Sequence, residues 1–250
     1  VYCNDFNYAY FLPFVKSGKR IAYAPSMGAQ LSIKTYKDRK KVIDLLNQYD
    51  AISVREAVGA RYIGEITKMP TASVLDPTLL LNPQEYDNLI DDKPLIKGEY
   101  VFIYSPNFTE KVNEMAEALG DKYNKQVVIS QGLISKNAML KWGRKFNIYT
   151  ATGPKEFLNL CKNASIICCD SFHAVAFSIL FKKCFFVLDG MKDNRISNLL
   201  QITHLQNRNF SSPNEYFNAP LQMDFTQPLG ALEIERRKSL EGLKEHLDVC

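Results

Sequence analysis

The turn Asp170-Ser171-Phe172-His173 carries the residue types best suited to chemistry in this sequence. It follows the apolar run Ser165 to Cys169 and precedes a second apolar stretch, a pattern that predicts a buried strand, a polar turn and a helix. The first N–H groups of a helix lack partners inside the helix and carry the positive end of its dipole, so they form an anion site. His173 would stand in the first turn, where it could exchange a proton near neutral pH. Its alternative role is a hydrogen bond to the backbone.

A second polar group follows the predicted strand Ala51 to Val54. Arg55 could hold a carboxylate or phosphate through two parallel N–H bonds, which lysine cannot reproduce. Pairing with Glu56 or a surface acid is an equally good interpretation. Ser26 lies in a Pro-Ser turn after another predicted strand, where the backbone could approach a ligand, although such turns also form without one.

Two further polar residues are candidates for weaker reasons. Arg195 opens a predicted helix after the strand Cys184 to Leu188, where it could contact a phosphate or form a salt bridge. Asp76 stands before Pro77, and Asp-Pro is typical of a turn, so a structural role is favoured for it.

The cysteines and histidines do not have the spacing of a metal site. The 6 cysteines include no CxxC pair and no histidine at zinc-ligand intervals. Three of them stand in strongly apolar surroundings. We therefore expect reduced, mostly buried thiols and no bound metal.

Composition restricts the class of protein. At 250 residues, 46% hydrophobic and 23% charged, the chain is typical of a globular protein with one large domain or two modest ones. The 31 basic and 27 acidic residues are spread along the chain without dense basic blocks, which argues against nucleic acid and for a small anionic substrate. No apolar run approaches the roughly 20 residues of a membrane helix, and no signal peptide is visible. The predicted location is cytoplasmic, with the inner face of the membrane as an alternative.

Short β-branched and aromatic segments alternate with amphipathic stretches, which predicts βα units on a parallel sheet. The predicted strands are Arg20 to Tyr23, Ala51 to Val54, Tyr100 to Tyr104, Gln126 to Ser130, Ile148 to Thr150, Ser165 to Cys169 and Cys184 to Leu188. Helices are predicted over Lys111 to Asp121 and Leu229 to Leu247, the latter with an apolar face of Leu232, Ile234, Leu240, Leu243 and Leu247. The segment 82–98, rich in proline and acidic residues, is the best boundary between two α/β halves.

Several blocks, taken in order, resemble the polysaccharide pyruvyl transferase family. They are Tyr10-Phe11-Leu12-Pro13-Phe14, residues 19–28 (KRIAYAPSMG), Ile52-Ser53-Val54-Arg55-Glu56, residues 76–81 (DPTLLL) and Asp170-Ser171-Phe172-His173-Ala174. The similarity runs from about residue 10 to about residue 210. It is the order of the blocks that makes the match specific.

This resemblance implies two Rossmann-like domains of GT-B type that face a cleft. The expected divisions are 1–92 for the latter part of the N-terminal domain, 93–215 for the C-terminal domain with the donor site, and 216–250 for a tail and helix. Family members carry a further N-terminal segment, so the first domain is expected to be incomplete here.

The implied activity is transfer of a pyruvate group from phosphoenolpyruvate to sugar hydroxyls, forming a ketal in capsule or exopolysaccharide synthesis. The family's essential histidine corresponds to His173 and a donor-binding arginine to Arg55. Some members have arginine where this chain has Ser171, so that anion contact is either absent here or supplied by Arg195. The remaining predicted substrate-binding residues are Ser26, Glu56, Ser171 and Phe172.

Two other functions stay open at this stage. The same fold hosts glycosyltransferases that use a nucleotide sugar, and it also hosts inactive binding relatives. The partners expected for the favoured function are phosphoenolpyruvate as donor substrate and a saccharide or lipid-linked saccharide as acceptor. No cofactor, nucleic acid or membrane-spanning segment is expected, and no oligomeric state is predicted.

Overall fold

The computed structural model describes residues 8–27, 39–90, 93–106, 109–130, 145–150 and 153–247. The chain divides into two compact units, residues 1–80 with 234–250, and residues 81–233. The sequence-based divisions fell after residues 92 and 215. The structure instead groups residues 81–92 with the second unit and residues 234–250 with the first.

The helices and strands alternate along most of the chain. The helices are α1 Arg39–Leu46, α2 Ala57–Thr67, α3 Pro83–Asp87, α4 Glu110–Tyr123, α5 Pro154–Asn163, α6 Phe172–Leu180, α7 Asn194–Ile202, α8 Pro213–Phe217 and α9 Thr226–Leu247. The strands are β1 Ile21–Ala22, β2 Ala51–Val54, β3 Thr71–Ser73, β4 Tyr100–Tyr104, β5 Gln126–Ser130, β6 Asn147–Tyr149, β7 Ile166–Cys169, β8 Cys184–Leu188 and β9 Asn209–Phe210. Short 3-10 helices cover Tyr8–Phe11, Pro77–Leu79, Gly190–Lys192 and Gln206–Arg208.

The first unit contains a small parallel sheet in the order β1-β2-β3. All residues of β2 are buried. Ala60 and Ile63, three positions apart on α2, lie in one apolar cluster with Ile52 and Val54 of this strand. This spacing places both side chains on one face of the helix, against the sheet.

The second unit contains a parallel sheet in the order β6-β5-β4-β7-β8-β9. On one face, Val101 and Ile103 of β4 share a buried cluster with Met115 of α4. On the other face, the Tyr104 ring lies 4.4 Å from the ring of Phe157 in α5, centroid to centroid. Helices therefore cover both faces, as continuous apolar strands of a parallel sheet require.

Several elements agree with the sequence-based predictions. The strands β2, β4, β5 and β8 have the predicted bounds, and β1, β6 and β7 differ from them at their ends. β3 and β9 were not predicted, because they contain 3 and 2 residues and lack a sustained apolar pattern.

The predicted apolar face of the terminal helix is wrong in detail. Ile234, Leu240 and Leu247 are 54%, 42% and 50% exposed, whereas Arg236 and Ser239 of the same helix are buried. The helix turns polar side chains inward because they bond the backbone of another segment, a tertiary contact that hydrophobic periodicity does not report.

A buried arginine joins β8 to the segment that precedes α9. Arg208 is 2% exposed, and its Nε and Nη1 donate to the carbonyl oxygens of Phe185 and Pro220, each at 3.0 Å. Its guanidinium also lies 4.6 Å from the centroid of the Phe186 ring. The side chain therefore satisfies two backbone acceptors inside the second unit.

We expect Arg208→Met to lower the free energy of unfolding by about 3 kcal/mol, because it leaves two carbonyl groups without their donor. Lys244→Met, on the exposed surface of α9, is the control and should change stability by less than about 0.5 kcal/mol. Urea unfolding followed by circular dichroism measures both. Equal effects of the two substitutions would contradict the role given to Arg208.

Candidate functional site

The turn between β7 and α6 lies at the carboxyl edge of the second sheet. β7 is buried between β4 and β8, and α6 begins at Phe172 with Ser171 in the N-cap position. The Ser171 side chain makes no capping hydrogen bond, although the residue is only 8% exposed. The first amide groups of α6 are thus not capped by this side chain, at the edge where open parallel sheets place ligands.

His173 is the second residue of α6 and is half-buried. Its ring lies 5.3 Å from that of Phe172, and the two rings are nearly perpendicular, at 80°. Phe172 itself is 5% exposed, so we expect this residue to contact a ligand through its backbone. The structure therefore places the predicted Ser171, Phe172 and His173 together at one helix start.

Asp170 organises the same edge of the sheet. Its Oδ2 accepts hydrogen bonds from the hydroxyl groups of Ser105, at 3.0 Å, and of Thr109. Ser105 Oγ in turn accepts the Thr109 backbone N–H at 3.0 Å. Asp170 thereby connects the end of β7 to the end of β4 and to the N-cap residue of α4.

The second oxygen of the Asp170 carboxylate, Oδ1, does not share these hydrogen bonds. Asp170 Oδ1 is buried and has no hydrogen-bond partner among the described residues. The sequence places Asp170 in the polar turn after a predicted strand, but it does not by itself identify Ser105 or Thr109 as its partners. The available signal was position, because Ser105 directly follows a predicted strand and would meet Asp170 at the same sheet edge.

Arg55 follows β2 in the first unit, and its Nη1 forms an ion pair with Asp76 Oδ2. Asp76 is 3% exposed and accepts two more hydrogen bonds from Thr78, from the backbone N–H at 2.9 Å and from the hydroxyl at 2.7 Å. Burial alone would raise the pKa of Asp76, but these bonds and the Arg55 charge lower it below its ordinary value. The carboxylate is thus held ionised against Arg55.

Ser26 and Glu56 form a second pair in this unit. The Ser26 hydroxyl donates to Glu56 Oε1, and Glu56 is fully buried in the N-cap position of α2. Two of the predicted substrate-binding residues therefore bond each other. Gly28, which closes this loop in the sequence, lies outside the described residues.

Arg195 stands in the first turn of α7 and forms a two-pronged salt bridge with Asp193. Its Nε and Nη2 lie 3.0 and 2.6 Å from the two carboxylate oxygens. Burial alone would raise the pKa of Asp193, but the bonds from Arg195 lower it. The salt bridge is one of the two roles that the sequence predicts for Arg195, and the phosphate contact stays a prediction.

The cysteines of the second unit are packing residues. Cys161, Cys168, Cys169 and Cys184 are buried free thiols. Burial raises the pKa of Cys169 to about 12.

Within the described ranges, no group of three His, Cys, Asp or Glu residues is arranged to hold a metal ion. Among the residues that the structure describes, no helix is long and apolar enough to cross a membrane.

A family model described as polysaccharide pyruvyl transferase matches residues 2–190. The chain belongs to the polysaccharide pyruvyl transferase family. The resemblance found in the sequence is therefore confirmed, and the match contains Arg55, Asp170 and His173. Arg195 and α9 lie beyond its end.

Among solved structures, the chain is similar to a UDP-N-acetylglucosamine 2-epimerase from Rickettsia bellii. The two have 12% sequence identity and a TM-score of 0.52, over 92% of this chain and 67% of the epimerase chain. This likeness supports the fold alone, and the predicted α/β class with parallel sheets is confirmed. A comparison with curated proteins gave no match.

The hydrogen bonds of Asp170 give a stability prediction. We expect Asp170→Ala to lower the free energy of unfolding by about 2 kcal/mol, because two hydroxyl groups lose their acceptor. Asp170→Asn keeps an acceptor oxygen and should lose less. In the Asp170→Ala background, Thr109→Val should have little further effect, which a double-mutant cycle in urea measures. Additive effects would show that the two residues are not coupled.

The lowered pKa of Asp76 predicts how stability depends on pH. A carboxyl group whose pKa is lower in the folded state stabilises the fold above its unfolded pKa of about 3.9, and this stabilisation disappears as pH falls through the folded value. Asp76→Asn should therefore cost about 2 kcal/mol at neutral pH and progressively less below about pH 4. Urea unfolding between these pH values measures the difference, with the exposed Asp44→Asn as control. A loss for Asp76→Asn that is independent of pH would contradict the ion pair.

Proposed function

We propose that this protein transfers a pyruvate-derived group from phosphoenolpyruvate to two hydroxyl groups of a sugar, forming a ketal during surface polysaccharide synthesis. The observation that carries the proposal is the family match, which contains the β7–α6 turn with Ser171 and His173. The acceptor is a saccharide, free or linked to a lipid. The GT-B assignment of the two units belongs to the same proposal and is supported by the α/β neighbour.

The donor offers two anionic groups, a carboxylate and a phosphate. The amide groups at the start of α6 can donate to one of them, since the Ser171 side chain does not cap this helix. Arg195 is proposed as a further anion contact.

Arg55 keeps its predicted role as a donor-binding cation. Asp76 fixes the guanidinium group through Nη1. A planar guanidinium is the side chain best suited to bind a carboxylate or phosphate through two parallel N–H bonds. The side chain is 18% exposed, so part of it is accessible. Ser26 and Glu56, which bond each other, stay proposed substrate-binding residues.

The proposed reaction has His173 as its proton-transfer group. A proton from His173 adds to the methylene carbon of phosphoenolpyruvate, and the oxygen of the first sugar hydroxyl forms a bond to the central carbon. The proton of that hydroxyl returns to His173. The bond between the central carbon and the phosphate oxygen then breaks, and the second hydroxyl closes the ketal while its proton leaves with phosphate.

The function is tested by donor binding and phosphate release. We expect about 1 mM phosphoenolpyruvate to raise the thermal midpoint of the protein, since a ligand that binds the folded state stabilises it. A chelator of divalent metals should leave this shift and the release of phosphate unchanged. His173→Gln should release phosphate at least about 100-fold more slowly, because glutamine cannot exchange protons at neutral pH. His246→Gln, on α9, is the matched control.

Each outcome separates the proposal from its alternatives. Stabilisation by a UDP-sugar and not by phosphoenolpyruvate would replace it with a glycosyltransferase function. No stabilisation by either donor would favour a binding relative. Wild-type turnover by His173→Gln would exclude the proton-transfer role of His173 but would not contradict phosphoenolpyruvate as the donor.

A further inference from the structure

The segment 75–79 in the first unit is held at both ends by α9. The Leu75 N–H donates to Ser239 Oγ at 2.9 Å, and Arg236 Nε donates to the Leu79 carbonyl oxygen at 2.9 Å. The two α9 residues are 2% and 8% exposed. Both contacts therefore lie in the interior of this unit.

The inward face of α9 is built for these polar contacts. Ser239 Oγ also donates to the Glu235 carbonyl oxygen at 2.7 Å, so the hydroxyl has both an acceptor and a donor partner. A polar side chain is costly to bury unless it is hydrogen-bonded, and an apolar residue would fill such a position at no such cost. The helix nevertheless exposes Ile234 and Leu240 and buries Arg236 and Ser239. This arrangement indicates that holding the segment is a specific role of the helix.

The segment so held carries the partner of Arg55. Asp76 follows Leu75 directly, and its carboxylate forms the ion pair with the guanidinium. The carbonyl oxygen of Leu75 accepts a hydrogen bond from the Tyr23 hydroxyl at 3.0 Å, so both backbone groups of Leu75 are bonded. The position of the Asp76 carboxylate is thus determined by contacts on either side of it.

We propose that Arg236 and Ser239 are positioning residues for Arg55. They fix the segment 75–79, Asp76 in this segment fixes the guanidinium group, and Arg55 then meets an anionic group of the donor in a set orientation. The inference rests on the donor-binding role of Arg55 proposed above. The inference assigns a role in donor binding to α9, which lies beyond residues 2–190, the range of the family match.

The effect should be specific to the donor. A misplacement of about 1 Å by a remote substitution can cost about 100-fold in rate, because a binding group must be oriented before it helps. Loss of the contacts from α9 leaves Arg55 in place but frees its partner. We therefore expect weaker use of phosphoenolpyruvate with an unchanged KM for the saccharide acceptor.

The test compares Ser239→Ala and Arg236→Met with Lys238→Met, which lies on the exposed side of the same helix. Phosphate release should show a KM for phosphoenolpyruvate raised about fivefold or more in the first two variants and unchanged in the third. In an Arg55→Ala background, Ser239→Ala should produce no further rise. Additive effects in that background would overturn the proposal, because α9 would then act independently of Arg55.

A second measurement does not depend on the donor. A double-mutant cycle between Arg55→Met and Asp76→Asn gives the factor by which the two residues are coupled in urea unfolding. This factor should fall about threefold or more in Ser239→Ala and stay constant in Lys238→Met. If phosphoenolpyruvate fails to bind at all, the proposed function is wrong, and this cycle still decides whether α9 positions Arg55. An unchanged factor in Ser239→Ala would overturn the positioning role.

Discussion

Burial of the parallel strands on both faces is the constraint on which this structure depends. Every residue of β7 and β8 is buried, which leaves no place for a polar group along these strands. Polar chemistry is therefore displaced to the ends of the strands. Asp170 and Ser105 stand where β7 and β4 stop, and their hydrogen bond joins loops that would otherwise be separate.

The same constraint explains which parts of the fold could be predicted. Long apolar strands carry their signal in their own residues, so the bounds of β4, β5 and β8 follow from the sequence. β3 is short and largely exposed, and it exists because β2 lies beside it. The inward face of α9 is determined by contacts with a segment far away in the chain. The hydrophobic periodicity of the helix therefore predicted as buried several residues that are exposed.

The candidate site could likewise be predicted only in part from the sequence. His173 and Arg55 could be named because each follows a predicted strand and has a chemically suitable side chain. The partner of Arg55 could not be chosen between Glu56 and a more distant acid. Glu56 has extended backbone angles, φ −123° and ψ 132°. Neighbouring side chains on extended backbone point to opposite sides, so Glu56 reaches Ser26 while Arg55 reaches Asp76.

The chain path of the first unit bears on the order in which the two units can fold. Its residues end at position 80 and resume at 234, so the whole second unit is inserted between them. The hydrogen bonds from α9 to Leu75 and Leu79 span 164 and 157 residues. Contacts of such sequence separation form slowly, because a long loop must close before they stabilise anything. On the ribosome, residues 81–233 can therefore reach their fold first, and the segment that carries Asp76 is held in place only once α9 has been synthesised.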